Sequence, residues 1–361
     1  GFDFGSANES QKKAIASPDG PVLITAGPGT GKTYTLVQRT IYLVQERGVK
    51  PENILVATFT NKAAKELVTR ISNELIRRRI PSDVKQMYVG TFHSICARIL
   101  EDNLEYTRLK RNFRILDKFD QQYMIFINIS KFRDIVDLEE VLSCGGAWRQ
   151  SEALARYFDI LTEEMVSPEE LAGDADDARI AALGELMRRY YNLLEENNMI
   201  DFPSLQRETY ELFSNHSEIL AKYREQLTHI MVDEYQDTNY IQERLVFMLA
   251  GERQNICVVG DDDQGLYRFR GATIRNILEF PQKFPAGLCK IIPLTTNYRS
   301  NAQIVDFYNK WMESPERTPG GFSWSQYRYR KTIVPHKPGI PSPAVVRVSA
   351  QNNEDAWREN I

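Results

Sequence analysis

Residues 26–33 read AGPGTGKT, and this octapeptide decides the fold prediction. An apolar run, PVLIT at 21–25, precedes it, and a helical pattern of apolar residues follows over 33–45. Small residues between a strand and a helix let backbone N–H groups wrap around phosphate oxygens, while the positive helix end adds attraction. The octapeptide departs from the pattern G-x-x-x-x-G-K-[ST] only at its first position, where Ala26 replaces glycine. We therefore predict a nucleoside triphosphate site here.

Six short apolar runs recur along the chain, the first of them directly before the octapeptide. Each is rich in Val and Ile and apolar on both faces, as expected for parallel strands covered by helices on both sides. Helical patterns such as residues 62–79 alternate with these runs, which predicts an α/β doubly wound sheet. The runs are PVLIT (21–25), NILVATF (53–59), MYVGTF (87–92), HIMVD (229–233), NICVVG (255–260) and CKIIPL (289–294).

The chain between about Ser94 and Asn198 has a helical pattern without a strand-like run, so we expect a helical subdomain inserted between two strands. Residues 61–120 hold 13 Lys and Arg against 8 Asp and Glu, whereas residues 135–201 hold 5 against 16. This contrast predicts polarised surfaces, although two solvated helical faces would give the same counts. After Asn309 the chain becomes rich in Pro, Gly and aromatic residues, like the opening of a further domain.

Composition excludes several classes of protein. The 361 residues carry 45 Lys and Arg and 49 Asp and Glu, a net charge of −4, which excludes a strongly basic chromatin-type binder but permits a local basic groove. The four cysteines form no C-x-x-C pair, which argues against a disulfide framework or a zinc or iron–sulfur site. No apolar run approaches the roughly 18 residues of a membrane span, and the N-terminus lacks a signal pattern. We expect a soluble, cytoplasmic protein without a membrane partner.

A second motif, MVDEYQDTN at 231–239, ends another strand-like run. Asp233 is placed to complete the coordination of Mg²⁺ with the Thr33 hydroxyl, and Glu234 to orient and deprotonate an attacking water. Lys32 would reach the β- and γ-phosphates. An Asp-Glu pair at a strand end can also be a surface turn, but a phosphate loop needs an acidic partner on a neighbouring strand.

A third motif, VVGDDDQGLYRFRGA at 258–272, also follows a strand-like run. Gln264 has the reach and the uncharged polarity to sense a γ-phosphate. Tyr267 and Phe269 alternate with arginines, a pattern in which bases stack on the rings while guanidinium groups bind phosphates of a single strand. A packed loop with solvated arginines is the alternative for these residues.

Taken together, the motifs resemble the superfamily 1 DNA helicases of the UvrD, Rep and PcrA type, over about residues 8–300. NESQKKA (8–14) is similar to an adenine-reading motif, and LTTNYRS (294–300) to the segment whose Arg reaches the γ-phosphate. TFTNKAA (58–64) and GTFHS (90–94) are similar to two DNA-contacting motifs. The resemblance implies ATP bound with Mg²⁺ between two RecA-like domains, and hydrolysis coupled to 3′→5′ movement on single-stranded DNA and at duplex/single-strand junctions.

The resemblance also implies a division of the chain and a set of roles. We expect a first RecA-like domain in two parts (1–94 and 201–287), an inserted all-helical subdomain (95–200) and an incomplete second RecA-like domain (288–361). The expected catalytic residues are Lys32, Asp233, Glu234, Gln264 and Arg299, with Thr33 and Asp233 as metal ligands. The expected ATP-binding residues are Gln11, Ala26, Gly27, Pro28, Gly29, Thr30, Gly31, Lys32, Thr33, Tyr34, Arg39 and Tyr298. The expected DNA-binding residues are Thr58, Phe59, Thr60, Asn61, Thr91, Phe92, His93, Tyr267 and Phe269; His93 can equally be a capping or packing residue.

Motifs that the family carries in its second motor domain have no match here. We therefore expect an N-terminal fragment that binds ATP and DNA but unwinds duplexes weakly alone. For the longer protein from which such a fragment would come, we expect repair or replication proteins as partners.

Two other functions remain open from the sequence. A P-loop phosphotransferase acting on a small molecule would need the octapeptide but not the DNA-contacting motifs. A non-catalytic docking module could use the acidic stretch 135–201 as its binding face, but the intact Lys32, Asp233 and Glu234 argue against an inactive site.

Overall fold

The computed structural model describes residues 1–135, 145–173, 177–264, 275–313, 328–341 and 345. Its centre is a six-stranded parallel sheet in the order β3-β2-β6-β7-β1-β8. Each of the six predicted runs forms one of these strands, and the α/β prediction is confirmed. The strands are β1 (Val22–Ala26), β2 (Ile54–Thr58), β3 (Tyr88–Thr91), β6 (His229–Val232), β7 (Ile256–Gly260) and β8 (Lys290–Leu294).

Alternate residues of the central strands pack into two separate apolar clusters. Leu23 and Val258 belong to one cluster, while their neighbours Ile24 and Val259 belong to the other. Because successive side chains of a strand point to opposite faces, the sheet has a helix-covered core on each side. The described helices are α1 (Glu9–Ile15), α2 (Lys32–Gln45), α3 (Asn61–Arg77), α4 (Phe92–Glu101), α5 (Lys118–Ile127), α6 (Ala147–Glu163), α7 (Pro168–Gly173), α8 (Ala178–Glu196), α9 (Phe202–Asn215), α10 (Ser217–Gln226), α11 (Tyr240–Ala250), α12 (Arg275–Glu279) and α13 (Ala302–Glu313).

Capping residues fix where several helices start after a strand. Thr60 accepts a hydrogen bond from the backbone N–H of Ala63 at the start of α3, and Thr91 accepts one from Ser94 at the start of α4. Such caps satisfy backbone donors that have no partner within the helix. They also hold the polar residues that follow β2 and β3 at the carboxyl edge of the sheet.

The inserted subdomain has its own core, with Leu154, Phe158, Leu186 and Tyr190 buried among α5, α6 and α8. The prediction that it is all-helical is wrong. Two three-residue strands, β4 (Arg114–Leu116) and β5 (Met199–Asp201), pair in parallel where the chain enters and leaves it. The predicted start at residue 95 also changes, because α4 packs in the core of the main sheet rather than in this subdomain.

The predicted boundary before residue 288 is wrong as well. Strand β8 pairs with β1 over its whole length, from Val22 opposite Lys290 to Ala26 opposite Leu294, so the first domain extends through Leu294. Beyond that residue the described chain forms α13 and a parallel pair of two-residue strands, β9 (Thr296–Asn297) and β10 (Val334–Pro335). A second RecA-like domain in this part stays a prediction. Within the described ranges, no helix has both the length and the apolar character needed to cross a membrane.

Candidate functional site

The octapeptide forms a tight loop between β1 and α2. Gly29 and Gly31 have φ of +67° and +82°, a region that side chains rarely adopt. A Cβ at Gly31 would lie 2.7 Å from the side-chain nitrogen of Gln11. The Thr30 hydroxyl donates to the carbonyl of Gly27 at 2.8 Å and so closes the loop internally. The predicted strand–loop–helix context of a phosphate-binding loop is confirmed.

A cavity of about 520 Å³ opens at this loop. We call it the phosphate-loop cavity. It brings together residues from the first, second and third motifs and from the NYRS segment, which lie far apart in sequence. Its lining consists of Gly29, Thr30, Gly31, Lys32, Thr33, Tyr34, Glu66, Arg70, Glu234, Gln264, Tyr298 and Arg299. Glu66 and Arg70 form an i,i+4 ion pair on α3 at 2.5 Å. The sequence does not predict them in this cavity, because only the packing of α3 brings them to this edge of the sheet.

The acidic pair after β6 has an unusual backbone. Glu234 has φ +49° and ψ +44°, the left-handed region in which a non-glycine residue is strained and which is often found at functional sites. This turn places the Glu234 carboxylate 3.0 Å from the Lys32 ammonium nitrogen. The side-chain amide of Gln236 donates to the same carboxylate oxygen at 2.8 Å. The candidate base and the candidate phosphate-binding lysine are therefore held beside each other.

Asp233 and Thr33 suit a Mg²⁺ ion chemically, since a carboxylate and a hydroxyl are oxygen ligands. Asp233 is buried, and burial together with the charge of Glu234 raises the pKa of its carboxyl to about 7, although Lys32 opposes the shift. A divalent cation next to such a group would favour its charged form. These two residues therefore fit the metal that the motif implies.

The NYRS segment clamps the phosphate loop. Asn297 donates through its side-chain amide to the carbonyl of Pro28 at 2.6 Å, and the backbone N–H of Tyr298 donates to Gly29 at 2.9 Å. The other end of the Asn297 amide accepts from the backbone N–H of Arg299 at 2.9 Å. Asn297 thus sets the position of the two residues that line the cavity, a role that its place in the motif did not reveal.

Gln11 and Arg39, which were expected to contact adenine, bind groups of the protein itself in this structure. Gln11 accepts from the Asn8 backbone at 3.0 Å and donates to the Thr30 carbonyl at 3.1 Å, so its amide braces the loop. Arg39 is buried and donates to the carbonyls of Ala14, Ile15 and Ser17 at the end of α1. Neither side chain lines the phosphate-loop cavity.

Three loop residues predicted to bind ATP are also absent from that lining: Ala26, Gly27 and Pro28. Gly27 is tightly packed, since a Cβ there would lie 2.1 Å from the Ile333 side chain. Tyr34 does line the cavity, and its hydroxyl donates to the carbonyl of Phe4 at 3.1 Å.

A second cavity, of about 110 Å³, lies at the ends of β2 and β3; we call it the aromatic cavity. The rings of Phe59 and Phe92 meet in it edge to face, with centroids 5.7 Å apart. Its lining consists of Thr58, Phe59, Thr60, Phe92, His93, Glu163, Asp237, Asn239 and Gln242. The two motifs predicted to contact DNA thus converge on one cavity that offers rings, hydroxyls and amides.

His93 lines this cavity, and its ring also packs against neighbouring side chains. Its Nε2 lies 2.7 Å from the side-chain nitrogen of Gln206, and its ring packs on Phe202 with centroids 5.2 Å apart. Burial, with a contribution from Lys118, lowers the pKa of His93 to about 4, so the ring is neutral at physiological pH. The capping role in this motif belongs to Thr91.

The remaining predicted DNA contacts are not all described. Asn61 is exposed as the first residue of α3, next to the cap Thr60. Tyr267 and Phe269 lie outside the described residues.

The two cavities share structural elements. Helix α3 is capped by Thr60 in the aromatic cavity and carries Glu66 in the phosphate-loop cavity. The loop after β6 contributes Glu234 to the phosphate-loop cavity and Asp237 to the aromatic cavity, only three residues later. A displacement of either element would therefore move side chains in both cavities.

Comparison with known proteins agrees with this arrangement. The model of the UvrD/REP helicase N-terminal domain matches residues 7–285. The chain is 36% identical over 315 residues to a Staphylococcus epidermidis protein named ATP-dependent DNA helicase PcrA, a match that covers 87% of this chain and 41% of that protein. With the same coverage, it is 35% identical to the PcrA of Staphylococcus aureus. The chain thus spans about two-fifths of the length of these curated relatives. A family model that matches most of the sequence shows that the chain belongs to the UvrD/Rep helicase family.

Proposed function

We propose that this protein is the nucleotide-hydrolysing part of an ATP-dependent DNA helicase. The observation that carries the proposal is the sharing of α3 and the β6 loop between a phosphate-loop cavity and an aromatic cavity. Coupling of ATP hydrolysis to movement on DNA requires that each site respond to the other. A shared helix and a shared loop supply a physical route for that response.

In the proposed reaction, backbone N–H groups of the loop and the Lys32 ammonium bind the phosphates. Glu234 accepts a proton from the attacking water as the water oxygen bonds to the γ-phosphorus and the bond to the β-phosphate oxygen breaks. Gln264 contacts the γ-phosphate, and Arg299 offsets negative charge in the transition state. Mg²⁺, held by Thr33 and Asp233, would neutralise part of the phosphate charge.

Phosphates would compete with Glu234 for Lys32, since the two side chains form an ion pair at 3.0 Å. Binding of ATP would thereby release the carboxylate to bind water. Exchange of one partner for another couples nucleotide binding to assembly of the base.

At the aromatic cavity, Phe59 is half-buried and offers a ring on which a base can stack. Base–aromatic stacking contributes about 1–3 kcal/mol per base and tolerates any sequence. Lys62 and Lys65 are exposed in the first turns of α3 and would contact the strand's phosphates. We propose single-stranded DNA and duplex/single-strand junctions as substrates, with 3′→5′ movement as the family resemblance implies.

Because the curated relatives are more than twice as long, we expect this chain alone to bind ATP and DNA but to unwind duplexes weakly. Repair or replication partners and a cytoplasmic location stay predictions.

The test is ATP hydrolysis with and without an oligothymidylate, in the native sequence, in Glu234→Gln and in Glu252→Gln. Glu252 is an exposed carboxylate in the same half of the chain and serves as the matched control. We expect DNA to stimulate hydrolysis in the native protein and in the control, and hydrolysis to be lost in Glu234→Gln.

Hydrolysis that is indifferent to DNA would favour the small-molecule phosphotransferase instead. Nucleotide binding without any hydrolysis would contradict catalysis by this chain and favour the docking module.

A further inference from the structure

The described chain holds a buried ion cluster that the proposed reaction does not use. Asp261, Asp262 and Asp263 follow β7, and all three carboxylates lie within 3.3 Å of the Lys331 ammonium nitrogen. The side chain of Lys331 is 1% exposed. Arg328 also pairs with Asp263, at 2.7 Å. A lysine so deeply buried is rarely found without a specific set of partners.

The cluster reaches the phosphate-loop cavity through Asp261. One carboxylate oxygen of Asp261 binds Lys331 at 2.8 Å, and the other accepts from the Gln264 side-chain amide at 2.6 Å. The backbone carbonyl of Asp261 also accepts from the Gln264 backbone N–H at 3.0 Å. Gln264 lines the cavity beside Lys32 and Arg299. Lys331 thus binds one oxygen of the Asp261 carboxylate, and the other oxygen holds the Gln264 side chain in place.

A second connection leads from Asp261 to the candidate base. The Gln236 amide accepts from the Asp261 backbone N–H at 3.0 Å through its oxygen and donates to Glu234 at 2.8 Å through its nitrogen. Asp261, which binds Lys331, is therefore one hydrogen bond from Gln264, the proposed γ-phosphate contact, and two from Glu234, the proposed base. Networks of this kind hold functional side chains within the narrow geometry that catalysis needs.

We infer that Lys331 is a positioning residue for ATP hydrolysis, which acts through Asp261 to orient Gln264 toward the γ-phosphate. This inference rests on the proposed function. Through Asp261, Lys331 connects the segment that carries β10 with the γ-phosphate end of the cavity, although Lys331 itself does not line that cavity. The Asp261 oxygen that binds Lys331 also accepts from the Asp263 backbone N–H at 3.1 Å. Loss of the ammonium group would leave that single hydrogen bond to hold the oxygen, beside two carboxylates that are no longer neutralised, so that the partner of Gln264 would be held less firmly.

The test compares Lys331→Met with Gln264→Ala and with the double variant, using steady-state ATP hydrolysis in the presence of an oligothymidylate. Asp262→Asn is the comparison for stability, because Asp262 contacts Lys331 but bonds the Tyr329 backbone rather than Gln264. We expect Lys331→Met to lower kcat by about tenfold, like Gln264→Ala, with KM for ATP and affinity for ADP unchanged. The double variant should lose no more than the single ones, and Arg330→Met, at an exposed neighbour of Lys331, should keep its kcat.

A merely structural role would instead lower the thermal midpoint of Lys331→Met and Asp262→Asn alike, with additive losses of activity in the double variant. That result, or an unchanged kcat in folded Lys331→Met, would overturn the inference. Should Lys331→Met fail to fold, Asp261→Asn tests the same connection, because it keeps the Lys331 pairs with Asp262 and Asp263. Absence of hydrolysis in the native protein would contradict the proposed function itself, a different result from an unaffected variant.

Discussion

The phosphate-loop cavity and the aromatic cavity differ in how their side chains are held. In the first, charged and amide groups bind one another, as in the Lys32–Glu234 pair at 3.0 Å. In the second, the Phe59 and Phe92 rings meet edge to face, and the buried hydroxyl of Thr58 has no hydrogen-bond partner in the described structure. This difference suits the proposed roles, in which the charged cavity binds phosphates and the aromatic cavity binds the bases of a single strand.

The largest expected effect separates the two cavities by charge. Lys32→Met should lower ATP hydrolysis by about 10²–10³-fold, because it removes a preorganised cation from the phosphates and the partner of Glu234. Affinity for an oligothymidylate should stay unchanged, as measured by fluorescence anisotropy. Lys222→Met, which alters an exposed lysine on α10, is the control and should keep both properties. Loss of DNA binding in Lys32→Met alone would break the separation.

The reciprocal effect is smaller and tests the aromatic cavity. Phe59→Ala should weaken oligothymidylate binding by about 1–3 kcal/mol, the contribution of one stacked base. Affinity for ADP, measured by calorimetry, should not change. Phe307→Ala removes a ring of comparable size that is 44% exposed on α13 and should leave DNA binding intact. If both alanine variants bound DNA like the native protein, the aromatic cavity would not be the DNA site.

The smallest effect concerns pH. Since the pKa of His93 is lowered to about 4, the unfolded chain binds a proton here at a higher pH than the folded chain. The stability that His93 contributes is therefore present above about pH 6.5 and is lost as pH falls toward 4, by at most about 1.4 kcal/mol per pH unit. Denaturant unfolding at several pH values should show a steeper loss in the native protein than in His93→Gln. Identical pH profiles in the two proteins would contradict a His93 ring that stays neutral in the folded protein.

Local patterns predicted much of this molecule. The six strands and the loop at 26–33 follow from runs of apolar residues and from small residues at fixed spacing, which act over a few positions. The short pair β4 and β5 escaped prediction, since three residues carry no readable period and their partners lie far apart in sequence. The apolar character of β8 does not say which sheet it joins, so the sequence alone does not place it beside β1.

The candidate site shows the same distinction between local patterns and contacts made across the fold. Lys32 and Glu234, whose proposed roles follow from their own motifs, lie beside each other at the phosphate-loop cavity. Side chains whose contacts lie far away in sequence have partners that the motifs do not predict. Arg39 binds carbonyls at the end of α1, and Asn297 and Lys331 reach the motifs only through tertiary contacts. Such partners depend on how elements pack, which no local pattern records.

The proposed function requires that the two cavities be coupled, as parts of one motor, through α3 and the β6 loop. The most direct measurement is oligothymidylate affinity of the native protein with saturating ADP and with a non-hydrolysable ATP analogue. We predict that the two dissociation constants differ by about 5–150-fold, the range of coupling between linked sites. Equal dissociation constants, with both nucleotides shown to bind, would contradict the claim.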